Sequence, residues 1–136
     1  MRIETYTEEL RTKGQDDCVD ITEIVQAAVA RVKLRQGLAT VFVTGSTAGV
    51  TTIEYEPGLV QDLKAAVRRL FPESLLYAHH EAAGDDNGFS HLRAAFIPPR
   101  LFAMRVRASL PTNGRQHRCV VTQRAIKEVV GSLVLH

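Results

Sequence analysis

The chain has 136 residues, 45% of them hydrophobic and 24% charged, with a formal net charge of +2. That length suits one domain with a real core, residues 1–136, and is too short for two comfortable ones. The small net charge is no argument for nucleic acid or an anionic membrane, no apolar run approaches bilayer-spanning length, and two cysteines without a C-x-x-C pair make no framework.

Arg2 to Thr7 has strand chemistry, and Cys18 to Ile21 fits a second short strand after the turn-like Gln15-Asp16-Asp17. From Thr22 the period changes. Ile24, Val25, Ala28, Val29 and Val32 recur at helical spacing, Asp20 or Thr22 can cap the start, and Arg31, Lys33 and Arg35 suit the negative end of the helix dipole. Gly37 is the expected stop. Leu38 to Val43 and Val50 to Tyr55 read as strands, the second with Thr51, Ile53 and Tyr55 on one face. Pro57 opens a second helix, with Leu59, Val60, Leu63, Ala66, Val67 and Leu70 as its stripe and Pro72 as its end. Glu73 to Ser90 is a long polar, glycine-rich connection of the kind that is usually functional or disordered. His91 to Phe96, Leu101 to Arg107, Gln116 to Thr122 and Val129 to Leu135 then read as strands, broken by Pro98-Pro99, by residues 111–114 and by charge around Lys127. The expected order is ββαββα followed by three to four strands. Short turns between neighbours predict mostly antiparallel sheets, with the two helices packed on one side of a sandwich or curved sheet.

Three stretches carry candidate chemistry. The run T-G-S-T-A-G (44–49) is neither a nucleophile elbow nor a P-loop, since the serine is out of register and no lysine follows. Its backbone N–H groups and the hydroxyls of Ser46 and Thr47 can cradle an anion, or the small residues can simply connect two strands. Glu54 and Glu56, at i and i+2, can hold a cation, act as acid and base, or stand solvated at a strand end. The third stretch gathers His79, His80, Glu81, Asp85, Asp86, Asn87 and His91. Imidazoles and carboxylates on one loop suit a divalent metal or general acid–base work, and an ordinary Asp-Asn-Gly turn is the alternative. The C-terminal arginines, from Arg93 through Arg105 and Arg107 to Arg124, read as a solvated sheet face or subunit contact, because no aromatic residues interleave them as single-strand binding would want. Cys119, within R-C-V-V, reads as a small buried hydrophobe. Met1-Arg2-Ile3-Glu4 lacks the apolar core of a secretory signal, so the cytoplasm is the expected location.

Four ordered segments carry a resemblance. V-D-I-T-E-I-V-Q (19–26), T-V-F-V-T-G-S-T-A-G-V-T-T-I-E-Y-E-P-G-L (40–59), L-F-P-E (70–73) and G-D-D-N-G-F-S-H-L-R-A (84–94) together resemble the YjbQ-like family of secondary thiamine-phosphate synthase enzymes. The resemblance implies one α+β domain with a β-sandwich, assembled as a homotrimer, and a weak thiamine phosphate synthase activity. In that reaction a pyrimidine diphosphate joins a thiazole phosphate with loss of pyrophosphate.

Carried over residue by residue, the resemblance implies phosphate binding by Gly45, Ser46, Thr47, Ala48, Gly49 and Asn87. It implies catalytic roles for His91, His79 and Asp85. A divalent metal, Mg2+ or another, is the candidate cofactor, with Glu54, Asp85, His79 and His91 as its ligands. The partner expected is a small phosphorylated molecule, with neither nucleic acid nor membrane. The chain also departs from the family. Gly45 stands where relatives carry the histidine of H-T-T-A-G, Phe89 where they carry the first histidine of H-x-H-L, and Asn113-Gly114-Arg115-Gln116 where they carry G-T-W-Q. Two lost imidazoles weaken the case for a tight transition-metal site and for full acid–base catalysis. A non-catalytic phosphate binder or structural trimer on the same fold is the alternative expectation.

Overall fold

The computed structural model describes residues 3–32, 36–97, 100–107, 117–118, 121–122 and 129–135, with side-chain burial for 3–32 and 39–97. Lys33, Arg35, Cys119, Lys127, the Pro98-Pro99 break and the turn at 111–114 lie outside them. The elements in chain order are β1 (Glu4–Leu10), α1 (Thr22–Val32), β2 (Gln36–Val43), β3 (Ala48–Gly49), β4 (Ile53–Glu54), α2 (Pro57–Leu70), α3 (Ala78–Ala83), α4 (Gly88–Phe96), β5 (Arg100–Arg107), β6 (His117–Arg118), β7 (Val121–Thr122) and β8 (Val129–Leu135). The fold is α+β.

β1, β8, β2 and β5 form a four-stranded sheet in that order, every neighbour antiparallel. Two short ladders, β3 with β7 and β4 with β6, stand beside it. Alternation drives the sheet. Ala39, Val41 and Val43 of β2 are buried at every second position, and along β1 Tyr6 and Leu10 turn the same way toward the core. α1 closes this core with Ala28 and Val32, one turn apart, beside Ile21. Its start is capped as expected, Asp20 Oδ1 accepting from the Thr22 N–H at 2.9 Å.

Glu56 starts α2, accepting from the N–H groups of Gly58 (2.9 Å) and Leu59, with Pro57 in the first turn. The stripe predicted for α2 is only partly covered: Val67 is buried, while Leu70 is 66% exposed.

Four of the sequence expectations are corrected. Cys18–Ile21 is buried at Cys18 and Ile21 but is not a strand. Gly37 does not stop α1; it pairs with Val106 inside β2. The strand expected from Val50 shrinks to Ile53–Glu54, although Thr51, Ile53 and Tyr55 keep their shared, half-buried face. The largest change lies between Glu73 and Phe96. The expected loop and strand are two helices, α3 and α4, so the described residues hold four helices rather than two. Gly84 separates them: at φ 65° it takes the left-handed conformation that ends α3, and its N–H donates to His80 O at 3.0 Å. Six residues, the length of α3 and of the expected strand His91 to Phe96, are too few for periodicity to separate helix from strand. α4 is harder still, because its buried face is Phe89, Ser90, Arg93 and Ala94, half of it polar.

Candidate functional site

The small-residue loop divides in two. Gly45 and Ser46 are exposed, and Gly45 sits at φ 133°, a conformation side-chain-bearing residues rarely adopt. Thr47, Ala48 and Gly49 are buried. Ala48 and Gly49 form β3, paired with Thr122 and Val121, and β3 packs against α4. Gly49 lies so close to the Ile97 carbonyl that a Cβ there has no room. Packing therefore accounts for that glycine.

The other end of α4, some 13 Å away for a nine-residue helix, is built differently. A cleft of about 600 Å³ opens there. Gln15 of the N-terminal turn, Glu73, Ser74, Leu75 and Leu76 after α2, His80 of α3, and Asp86, Asn87 and Phe89 at the head of α4 line it. His80 Nε2 accepts the Gly88 N–H at 3.2 Å, so one orphan donor of the α4 first turn is met from α3. Gly88 is needed for this approach: a Cβ would fall 2.7 Å from Tyr77 Cβ and 3.2 Å from His80 Nε2. Tyr77 meets the His80 ring edge-on at 5.4 Å and donates its hydroxyl to Pro72 O at 2.8 Å, which holds the 72–77 segment.

Asn87 is 7% exposed. Its Nδ2 donates to Asp85 Oδ2 at 2.6 Å, while its Oδ1 is buried without a partner among the described residues. An unmet buried acceptor costs about 1–3 kcal/mol, so a group in this position calls for an explanation.

Behind the cleft lies a charge network that the sequence did not suggest. Arg93 is 1% exposed. Its Nε and Nη2 donate to Phe71 O at 3.1 and 2.8 Å, its Nη1 donates to Asp16 Oδ1 at 3.0 Å, and Nη2 stands 3.8 Å from Glu73 Oε1. Arg68 donates to Asp16 Oδ2 at 2.7 Å. Asp16 itself takes a left-handed φ of 58°, which Asp tolerates. Arg93 Cζ also lies 4.8 Å from the centroid of the Phe89 ring in the cleft wall. Arg93 is thus not part of a solvated sheet face. It ties the N-terminal turn, the end of α2 and α4 into one frame.

The predicted site residues fall into four places. His79 and His91 come together from α3 and α4, ring centroids 4.7 Å apart. Asp85 and Asn87 are hydrogen-bonded, and only Asn87 of the predicted residues lines the cleft. Glu54 is exposed in β4, Glu56 is occupied as a helix cap, and the 45–49 loop meets α4 at its far end. No three His, Cys, Asp or Glu side chains come together to hold a metal ion among the described residues. Sequence reasoning missed Gln15, Glu73 and Ser74, and it named His80 and Asp86 in the loop cluster without giving either a role. Two pKa shifts stand away from the cleft. Burial pushes the Cys18 thiol up, and burial, then the Cys18, Asp20 and Asp17 charges, push up the Tyr55 phenol, whose hydroxyl donates to Cys18 O at 2.9 Å.

The model of the family described as UPF0047 protein YjbQ-like matches residues 6–124. The chain belongs to this family. It is 33% identical over 97 residues to a UPF0047 protein of Methanothermobacter thermautotrophicus, covering 70% of this chain and 66% of the relative. It is 35% identical over 99 residues to one from Mycobacterium tuberculosis, covering 72% and 66%. The matched parts span about two thirds of these curated relatives. Among solved structures, a hypothetical protein from Aeropyrum pernix K1 superposes with a TM-score of 0.86 at 25% identity, and a YbjQ-like protein of unknown function from Sulfolobus solfataricus with 0.85 at 24%, each covering 98% of both chains. The second likeness, at its level of identity, speaks for the fold. At the two positions where the resemblance expects histidine, Gly45 takes a backbone conformation that side-chain-bearing residues rarely adopt, and Phe89 is a buried ring beneath the Arg93 guanidinium. No helix of the described residues is long and apolar enough to cross a membrane.

Proposed function

We propose that this chain is an enzyme acting on a small phosphorylated molecule, and that its reaction is the thiamine phosphate synthase step implied by the family resemblance. The observation that carries the proposal is the setting of Asn87. The family-matching segment 84–94 frames a cleft of about 600 Å³, within the usual range for small-molecule sites, and is not a bare surface turn. In the reaction the thiazole nitrogen lone pair bonds to the pyrimidine methylene carbon as its C–O bond to the diphosphate breaks. Pyrophosphate leaves with the bonding pair and the ring nitrogen becomes cationic. Such a displacement asks mainly for positioning and charge stabilisation.

In this proposal the exposed Gly45-Ser46 turn and Thr47 hold a phosphate, and the paired imidazoles of His79 and His91 steer the departing pyrophosphate and its proton. Asp85 orients Asn87 through their hydrogen bond. Mg2+ is the common companion of a diphosphate and would arrive with it, so no step is assigned to a protein-held metal. The homotrimer and the cytoplasmic location belong to the same proposal, with a neighbouring copy able to bring its 45–47 turn toward the cleft.

Gly45 favours a second reading, a phosphate-ligand binder without catalysis, because its φ of 133° suits a chain that has settled into life without the histidine. An assay with the pyrimidine diphosphate and the thiazole phosphate decides between them. Thiamine phosphate formed by the natural chain and lost in Asp85→Ala and His91→Ala supports the enzyme. Product no greater than in those variants overturns it.

A further inference from the structure

We propose that Asn87-Gly88 is a latent deamidation site, kept closed by the hydrogen bonds that start α4, with His80 as its clasp. The inference does not depend on the synthase reading. It concerns the chemical lifetime of a residue in the cleft wall.

The chain has two asparagines, Asn87 and Asn113, and glycine follows each. Such a step is labile because glycine has no Cβ to shield its nitrogen from the preceding side chain. In the reaction the Gly88 nitrogen gives its proton to a base and its lone pair bonds to Asn87 Cγ. The bond from Cγ to Nδ2 then breaks, and ammonia leaves with the bonding pair and a proton from water. Water is the co-reactant that opens the resulting cyclic imide at either carbonyl, leaving aspartate or isoaspartate. Either product puts a new carboxylate beside Asp85, and isoaspartate also lengthens the backbone at the head of α4.

The folded chain refuses each requirement of this step. Ring closure needs the Gly88 nitrogen on the Cβ side of Asn87. At ψ 14° that nitrogen is instead nearly eclipsed with the nitrogen of Asn87 itself. Turning it breaks bonds at both ends of one peptide unit. The Asn87 carbonyl accepts from the Ser90 and His91 N–H groups at 2.8 and 3.3 Å, and the Gly88 N–H donates to His80 Nε2 at 3.2 Å. The group under attack is held as well, because Nδ2 donates to Asp85 Oδ2 at 2.6 Å. The attack would also place negative charge on Oδ1, which is buried and meets no donor among the described residues. An oxyanion there goes unstabilised. His80 thus holds the proton that must leave, in a geometry from which the nitrogen does not reach Cγ.

The test incubates the full chain at mildly alkaline pH, folded in buffer and unfolded in guanidinium chloride, and then cuts it with trypsin. Asn87 and Asn113 fall in separate peptides, 70–93 and 108–115, in which mass spectrometry and isoaspartate-specific methylation follow each residue. In denaturant both are expected to convert at similar rates, with isoaspartate among the products. In buffer Asn87 is expected to convert about a hundredfold more slowly than in denaturant, the worth of three hydrogen bonds at roughly a factor of five each. His80→Ala, checked for folding by circular dichroism, is expected to convert Asn87 about fivefold faster than the natural chain in buffer, the share of one such bond. Asn87 converting as quickly in the folded natural chain as in denaturant overturns the proposal. So does a folded His80→Ala that converts it no faster, which would make His80 a base for the reaction and not a clasp, or conversion in denaturant without isoaspartate. If His80→Ala does not fold, the natural chain in buffer against denaturant decides.

Discussion

The two ends of α4 are built on the same device and come to different ends. At the C-terminal end Gly49 admits the Ile97 backbone, and at the N-terminal end Gly88 admits Tyr77 and His80. Each is a glycine whose missing Cβ lets two segments touch. At the Gly49 end the flanking Thr47, Ala48 and Val50 are buried, Ala48 fully, with a short ladder beside them. At the Gly88 end a cleft opens, and the buried Asn87 amide oxygen has no partner among the described residues. Close approach alone therefore says little about function. Unmet polarity beside open space says much more, because a fold that only needed packing would not retain its cost.

The hardest blow to this arrangement is expected at the residue between the two ends. Arg93→Met removes a buried cation and strands Asp16 with only the half-exposed Arg68. Breaking a buried pair from one side costs about 3–5 kcal/mol, to be read from urea denaturation midpoints. Next come the two glycines, which test the contrast directly. Gly49→Ala must push against backbone and is expected to cost about 3 kcal/mol, read from urea denaturation midpoints. Gly88→Ala meets a side-chain Cβ and the far edge of an imidazole, and about 1–2 kcal/mol is expected in the same measurement. Equal effects of the two on stability would erase the distinction between the ends. A smaller effect belongs to Glu56→Ala, which removes a cap outside both ends. About 1 kcal/mol of stability should go, with no change in synthase activity.

The smallest effect is in pH. The Cys18 thiol ionises near 9.0 when unfolded and above that when folded, because burial disfavours the thiolate. The folded chain thus holds this proton more tightly. The contribution is complete below pH 9.0 and fades as the pH rises through the folded value. Stability measured upward from pH 9.0 should fall less steeply in Cys18→Ala, the residual slope including Tyr55, whose phenol is also raised.

Much of the sheet and the first two helices could be read in advance. Ala39, Val41 and Val43 alternate as a half-buried strand must, and Ala28 and Val32 recur as a helix facing that strand must. α4 was illegible for a reason visible in its buried face. Ser90 and Arg93 are polar by type and buried by circumstance, so a hydrophobic pattern skips them and leaves Leu92, Ala94, Ala95 and Phe96 to suggest a strand. Phe96 is in fact 70% exposed, its ring 4.7 Å from that of Phe71. Within the candidate site, Asp85 and Asn87 were found because acids and amides cluster in the chain. Gln15 and Glu73, fifty-eight positions apart yet hydrogen-bonded, offered no such sign.

Order along the chain was enough to establish the antiparallel strands β1, β2, β5 and β8, the helices α1 and α2, and the family, since periodicity and motif spacing are local properties. Only the folded chain decided that Arg93 would be buried against Asp16, seventy-seven positions away, and that Asn87 would keep one oxygen unmet beside a cleft. A charge or an amide is satisfied by whatever the fold brings within about 3 Å of it, and that company is not written in its neighbours.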